Sequence, residues 1–143
     1  MKIVSKKNLV HTADLKITRI DVFSPDIAAK ARPGQFVVLM ANEQGERIPL
    51  TIVDTDKEMG TITLIFQEVG LSTKLLGALE AGDSLYALAG PLGHATVMKN
   101  YGNVILAGGG VGIAEIYPVA KALKNAGNHI AVILGARTKG ILI

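Results

Sequence analysis

The sequence predicts a chain in two parts: a strand-rich antiparallel first part, residues 1–99, and a βαβ segment, residues 100–143, that opens a small α/β unit. Three observations carry this. Turn signals recur about every ten residues up to "GPLG" at Gly90–Gly93, with one short helical pattern among them. The apolar period changes from strand-like to helical after Tyr101. At that change "VILAGGGVGIAEIYP", Val104–Pro118, runs an apolar strand through glycines into a helical stripe.

In the first part, "DLKITRIDV" has strand composition, and its alternation breaks near Arg19 as at a bulge or a sharply twisted strand. "RPG" marks a turn, and "QFVVLMA" after it reads as a strand buried on both faces. Beyond the polar loop "ANEQGE", "IPLTIVDT" and "GTITLIFQ" read as paired strands joined by "DKEMG". In the second of these, Ile62, Leu64 and Phe66 share one face while Thr61 and Thr63 take the other. A short helix starts near Ser72, capped by Ser72 or Thr73, with Leu75, Leu76 and Leu79 as its buried stripe. "DSLYALAGPLG" supplies a last strand. The pattern fits a small antiparallel barrel or a sandwich.

In the second part, "NVILAG" and "HIAVILGAR" are short apolar strands of the parallel-sheet kind. Ile116, Val119, Ala120 and Leu123 stripe the helix between them, and Gly127 stands where a C-terminal cap belongs. Pro118 is tolerable if the regular helix begins near Glu115. A doubly wound domain needs more than two strands, and the tail "KGILI" reads as the start of another element, so the chain reads as truncated.

Composition narrows the function. Apolar residues make up 49% of the 143, which excludes disorder. The net charge of +3 is dispersed, its densest cluster being Lys6 and Lys7, and six aromatics without Trp argue against nucleic-acid binding. Without cysteine there is no disulfide and no thiolate-bound zinc or iron–sulfur cluster. His11, His94 and His129 share no metal-ligand spacing. Lysines interrupt "MKIVSKKNLVHTADLK" too early for a signal peptide. The uncharged stretches Leu85–Met98 and Asn100–Ala114 fall short of the ~20 residues of a membrane span. A soluble, cytoplasmic protein is the simplest expectation.

A strand that leads through glycines into a helix turns backbone N–H groups and the positive helix end toward an anion. The strict G-x-G-x-x-G fails here: counted from Gly108 it ends on Ile113, and from Gly110 on Glu115. Arg137, not an acid, follows the second strand, which suits a 2′-phosphate and favours NADP over NAD; alternatively Gly108–Gly112 only makes a tight turn and Arg137 is a solvated strand end. "QEVGLSTKLL" repeats the strand–glycine–helix arrangement, as a second anion site or as plain capping. In "GERIPLTIVD", Pro49 either frees backbone groups of Leu50, Thr51 and Ile52 for a planar ligand or simply starts an edge strand. No nucleophile–base pair, carboxylate pair or metal cluster emerges, so redox chemistry would reside in a bound cofactor.

Taken in order, "RIPLT", "GLST", "GPLG" and "ILAGGGVGIAEIYP" resemble the ferredoxin–NADP reductase superfamily. The resemblance is nearest to the alpha subunit of ferredoxin–NADP reductase (sulfide dehydrogenase) and to the dihydroorotate dehydrogenase electron-transfer subunit. It implies an FAD-binding antiparallel β-barrel over residues 1–99 and an incomplete NAD(P)-binding α/β domain over residues 100–143. It assigns FAD to Ile48, Pro49, Leu50 and Thr51, to Ile65, Phe66 and Gln67, and to Gly70, Ser72 and Thr73. It assigns NAD(P) to Gly108, Gly109, Gly110, Val111, Gly112 and Arg137. The family's arginine facing the FAD pyrophosphate is Ile48 here, with Arg47 beside it, and Ser72 replaces the second glycine of Gly-x-Gly-Thr. The implied chemistry is hydride transfer between nicotinamide and flavin, then one-electron steps to an iron–sulfur partner: ferredoxin or a larger flavin and iron–sulfur subunit. A [2Fe–2S] cluster belongs to the nearer relatives, but this chain has no cysteine to hold one. The alternatives are a non-catalytic FAD- or nucleotide-binding fragment and an S-adenosylmethionine-dependent methyltransferase; the missing acid and the preceding strands count against the latter.

Overall fold

A computed structural model describes residues Met1–Ile143. In chain order the elements are β1 (Ile3–His11), β2 (Lys16–Phe23), α1 (Pro25–Lys30), β3 (Phe36–Met40), β4 (Ile48–Thr51), β5 (Asp54–Asp56), β6 (Thr61–Gln67), α2 (Leu71–Ala78), β7 (Ala87–Leu92), β8 (Asn103–Gly109), α3 (Gly112–Asn125) and β9 (His129–Gly135). No helix is long and apolar enough to cross a membrane.

The strands of the first part form two antiparallel sheets, one ordered β1-β2-β6-β5 and the other β4-β3-β7. Sequence reading joins Ile48–Thr55 into one strand. The structure splits it, because Ile52 and Val53 turn a corner: Ile52 N–H donates to the Gln35 carbonyl at 3.0 Å and Val53 N–H to that of Thr63 at 2.9 Å. At the opposite corner Ile3 N–H reaches the Asp83 carbonyl and Leu85 N–H that of Met1, both at 2.8 Å. The expected barrel is thus two sheets stitched at their corners rather than one closed ladder.

Between the sheets lies a core of 14 buried residues. Ile20 and Val22, Val37 and Leu39, Ile62 and Leu64, and Leu76 of α2 are all fully buried in it. Burial of such a side chain stabilises the fold by about 1.5–3 kcal/mol. β3 is buried on alternate residues only, Phe36, Val38 and Met40 being half-buried, so its run of apolar residues does not mark two fully covered faces.

The break of alternation in β2 is not a bulge in that strand. Its register with β6 runs evenly from Ile17 opposite Gln67 to Phe23 opposite Thr61, and both irregularities lie in β1. Alternation fails because Ile17 and Thr18, on opposite faces, are both buried. Thr18 donates to Glu68 at 2.6 Å, and Ile17 lines a cleft with Gly110 and Val111.

α1 is a helix the sequence reading passes over. Its signal is present in "SPDIAAK": Pro25 in the first turn, Asp26 beside it and Lys30 in the last turn, which suits the helix dipole. In α2, Leu76 is fully buried and Leu79 packs against the core, while Leu75 is exposed, contrary to the expected stripe.

In the second part β8 and β9 pair in parallel from Asn103 opposite His129 to Gly109 opposite Gly135. α3 packs on them and ends as expected: Gly127, at φ +87°, donates to the Lys124 carbonyl at 3.0 Å. It begins earlier than Glu115, however, so Pro118 sits inside the helix and not in its first turn. Proline there removes the N–H that would bond the Ala114 carbonyl. Pro118 is buried, so its ring contributes apolar packing in return.

Candidate functional site

Two helix starts and one edge strand hold the sequence-predicted residues. The first helix start is that of α2. Gly70 occupies the N-cap position, so Ser72 does not cap the helix, and Thr73 closes its start from the third helical position. Thr73 is the third helical residue, and its hydroxyl oxygen accepts the N–H groups of both Val69 and Gly70 at 3.1 Å. Those two donors are thereby satisfied from within the helix, and Leu71, Ser72 and Thr73 are left with N–H groups that donate to no protein acceptor. Ser72 donates its hydroxyl to Glu46 Oε2 at 2.6 Å, which ties the β3–β4 loop to the same helix end. A Cβ at Gly70 would meet nothing within 4 Å, so the approach to these donors is open.

β4 is an edge strand, next to β3 alone, and so presents unpaired backbone groups along its outer side. Ile48 and Leu50 lean onto the core, Thr51 is half-buried and Pro49 is exposed. Arg47 is exposed and enters no ion pair. Of the three residues at the end of β6, Phe66 is buried in the core at 2% exposure, so its side chain cannot line a ligand. Ile65 and Gln67 point the other way, toward the second part of the chain.

The second helix start is the glycine turn, where each glycine has a different task. At Gly108 an added Cβ would come within 2.8 Å of Ile116 Cδ1 and 3.2 Å of Ile113 Cα, so its absence lets α3 lie close on β8. Gly109 closes the β8–β9 ladder opposite Gly135. Gly110 takes a left-handed φ of +56° and spends its N–H on the Gly135 carbonyl at 3.0 Å. Ile113 and Ala114 close tight turns onto Gly110 and Val111. Val111 and Gly112 keep N–H groups without a protein acceptor. Of the predicted anion donors, then, these two are open and Gly110 is spent. Gly112 has nothing within 4 Å of where a Cβ would be.

The structure brings one end of the first set of candidates, at β6, to the second set. Gln67 of β6 lines a cleft of about 280 Å³ with Gly110, Val111 and Arg137. Ile65 lines a neighbouring cleft of about 250 Å³ with Val53, Ile113, Ala114 and Tyr117. The sequence reading missed the residues that organise these surroundings. Asp21 is one: burial opposes its ionisation, but hydrogen bonds from Ser5 and Thr63 and the Arg19 guanidinium together hold its carboxyl below the usual range. Lys121 is another: its hydrogen bonds to Asp54 at 3.1 and 3.2 Å, with that carboxylate's charge, hold its ammonium above the usual lysine range. Neither carries a local motif: Asp21 depends on Ser5 and Thr63 as well as on nearby Arg19, and the carboxylate that holds Lys121 lies 67 positions away.

The family model for the oxidoreductase FAD-binding domain matches residues 1–97. A dihydroorotate dehydrogenase B (NAD(+)) electron transfer subunit homolog from Thermotoga maritima is 52% identical over 122 residues, covering 85% of this chain and 43% of that protein. The electron transfer subunit of the same name from Geobacillus thermodenitrificans is 34% identical over 119 residues, covering 79% of this chain and 46% of that one. Among solved structures, that of an NADH-dependent reduced ferredoxin–NADP oxidoreductase, described for flavin-based electron bifurcation, superposes with a TM-score of 0.93 at 47% identity, over 99% of this chain and 50% of the other. Ferredoxin–NADP+ reductase from Plasmodium falciparum shares the fold, with a TM-score of 0.79 at 17% identity, over 99% and 60% of the two chains. The chain thus spans about half the length of the relatives it matches. With two antiparallel sheets, an edge strand and an open helix start inside the matched region, the chain belongs to the oxidoreductase FAD-binding domain family.

Proposed function

We propose that this chain is the flavin-binding part of an electron-transfer subunit, residues 1–99 forming a flattened FAD-binding barrel and residues 100–143 the first, incomplete part of an NAD(P)-binding domain. The observation that carries the reading is that Gln67, at the end of β6, shares a cleft with Gly110, Val111 and Arg137. Bound FAD would supply hydride acceptance from a nicotinamide and one-electron delivery to an iron–sulfur partner such as ferredoxin or a larger subunit.

The residues present suit such a group. The open N–H groups of Leu71, Ser72 and Thr73 offer an anion three donors at the positive end of α2, and no side chain fills the space over Gly70. They take up the task that an arginine at Ile48 would otherwise perform. Pro49 and Thr51 on the outer edge of β4, with the backbone of Ile48 and Leu50, give a planar ring a flat wall. Ile65 and Gln67 supply the side facing α3, and Phe66 serves by holding β6 against the core. Val111 and Gly112 would hold a dinucleotide phosphate, Gly108 and Gly110 shape the turn that presents them, and Arg137 would take a 2′-phosphate.

The test is a titration of the purified chain with FAD, followed by absorbance and flavin fluorescence, then anaerobic addition of NADPH or NADH. Stoichiometric FAD binding with bleaching by a nicotinamide cofactor is the expected result, faster with NADPH. Bleaching by neither, with FAD bound, would favour the reading of a flavin-binding fragment that is inactive alone. A chain that binds no FAD would overturn the proposal.

A further inference from the structure

The β8–α3–β9 unit hangs from the two sheets by residues 93–102, which adopt no regular structure. Across the joint, Val53 lines one cleft with Ile113 and Ala114; all three are buried at 4–8% exposure, yet none belongs to the 14-residue core. The joint is loosely filled. The cleft of about 250 Å³ beside Ile65 opens on one side of Asp54, and another of about 220 Å³ opens between Ile52, Thr55, Pro118 and Lys121.

Between residues 1–92 and 103–143, only one side chain forms a direct hydrogen bond with the other part: Lys121, whose Nζ lies 3.1 and 3.2 Å from the two oxygens of Asp54. The remaining ion pairs, Lys6–Glu80, Lys16–Glu68 and Arg19–Asp21, stay within residues 1–92. Asp54 is held in place by its strand, where it pairs with Thr63. Its Oδ1 also accepts the Thr55 N–H at 3.0 Å, which fixes the carboxylate rotamer. Lys121 Nζ lies 5.8 Å above the Tyr117 ring one helical turn back, which favours the rotamer that reaches Asp54.

α3 therefore touches the sheets at two places along its length. In its first turn the buried Ile113 and Ala114 face Val53 and Ile65 around one cleft, and Lys121 makes an ionic contact about 10–12 Å further on at 1.5 Å per residue. Two separated contacts fix the direction of a rigid rod where one leaves it free to swing. The glycine turn precedes this rod, so its direction sets where the Val111 and Gly112 N–H groups point. We infer that Asp54 and Lys121 are positioning residues, a polar latch that sets the glycine turn of the second part against the flavin side of the first. As a positioning role for electron transfer this rests on the function proposed above; as a statement about the joint it does not.

The test uses the full chain. It has no cysteine, so Lys7→Cys on β1 and Lys124→Cys on α3, both exposed, give a unique pair of spin labels for a distance distribution by pulsed electron spin resonance. Asp54→Lys and Lys121→Asp should each broaden that distribution, and Asp54→Lys/Lys121→Asp together should restore it. In the unmutated labelled chain, raising KCl from 0.05 to 1 M (about a fourfold shorter screening length) should broaden it as well. With FAD bound, each single change should slow reduction by NADPH about two- to fivefold, the scale of an exposed ion pair, while the FAD Kd stays the same. Unchanged distributions in both single variants, or a double variant as broad as the singles, would overturn the latch. If a single variant fails to fold, the salt series and the double variant decide. Failure to bind FAD or to react with NADPH, with the distances behaving as expected, would refute the proposed function and leave the latch standing.

Discussion

The glycine turn allows packing and ligand binding to be separated by one methyl group placed at two positions. At Gly108 a Cβ would lie 2.8 Å from Ile116 Cδ1 and 3.2 Å from Ile113 Cα. The isoleucine tip can rotate aside, but the Cα is backbone, so α3 itself must move by a few tenths of an ångström. Gly108→Ala is therefore an overpacking substitution and should destabilise by about 1–3 kcal/mol. At Gly112 the added methyl meets nothing within 4 Å, and the residue is the first of the helix with no left-handed φ. Gly112→Ala should leave stability unchanged or raise it by about 0.4–1 kcal/mol, through the lower entropy of the unfolded chain. Binding should show the opposite order of severity. A methyl at Gly112 stands over one of the two open N–H groups, and loss of a charge-assisted bond worth about 1.5–3 kcal/mol weakens NADPH binding roughly tenfold or more. Urea unfolding reports the first quantity and calorimetric titration with NADPH the second. Gly108→Ala unfolding at the wild-type midpoint would refute the packing argument. Gly112→Ala binding NADPH with unchanged affinity would refute the phosphate assignment.

Three further outcomes follow from other parts of the molecule. Leu76→Ala empties the site of a fully buried side chain between α2 and both sheets and should cost about 2–5 kcal/mol, read as a lower urea midpoint at unchanged slope. Asp21 ionises more readily folded than unfolded, so its contribution is present at neutral pH and fades as the pH falls below the ordinary aspartate value of about 3.9; the stability gap between wild type and Asp21→Asn should close between pH 5 and pH 2 in thermal melts. Glu46 places a carboxylate at the start of α2 through Ser72, so Glu46→Gln, which keeps an acceptor and removes the charge, should lower the stability of the free chain by about 0.3–1 kcal/mol and tighten FAD binding, as read by flavin fluorescence.

What the sequence made legible was set by how local each cause is. The alternation of Ile62, Leu64 and Phe66 and the end of α3 at Gly127 depend on neighbours a few residues away, and the structure keeps them. The corner at Ile52–Val53 was not legible, because two buried apolar residues in succession look the same whether a strand continues or changes sheets. Neither was the start of α3, because the constraint of Pro118 is local: the first turns are built from bonds of Ile113 and Ala114 back to Gly110 and Val111, upstream of where Pro118 acts. Ile17 read as a break in β2 because it is buried on the face opposite Thr18, where it lines a cleft with residues nearly a hundred positions later. Asp54–Lys121, separated by 67 positions, had no local signature at all.

The two helix starts looked alike in sequence, each a strand, glycine and helix, yet the structure completes them by different means. At α2 the Thr73 hydroxyl satisfies Val69 and Gly70, so the segment that exposes Leu71, Ser72 and Thr73 completes its own geometry within five residues. At α3 no side chain caps the helix, and the turn is tied to the rest of the unit by the bond from Gly110 to Gly135 at the far end of β9. The α2 donors are therefore arranged by local chain, and the α3 donors by the pairing of β9 with β8. One surface can persist when the second part of the chain loosens, and the other cannot. This places the α2 donors on the better-anchored body, joined to the 14-residue core through Leu76, and the α3 donors on the body that the Asp54–Lys121 latch must orient.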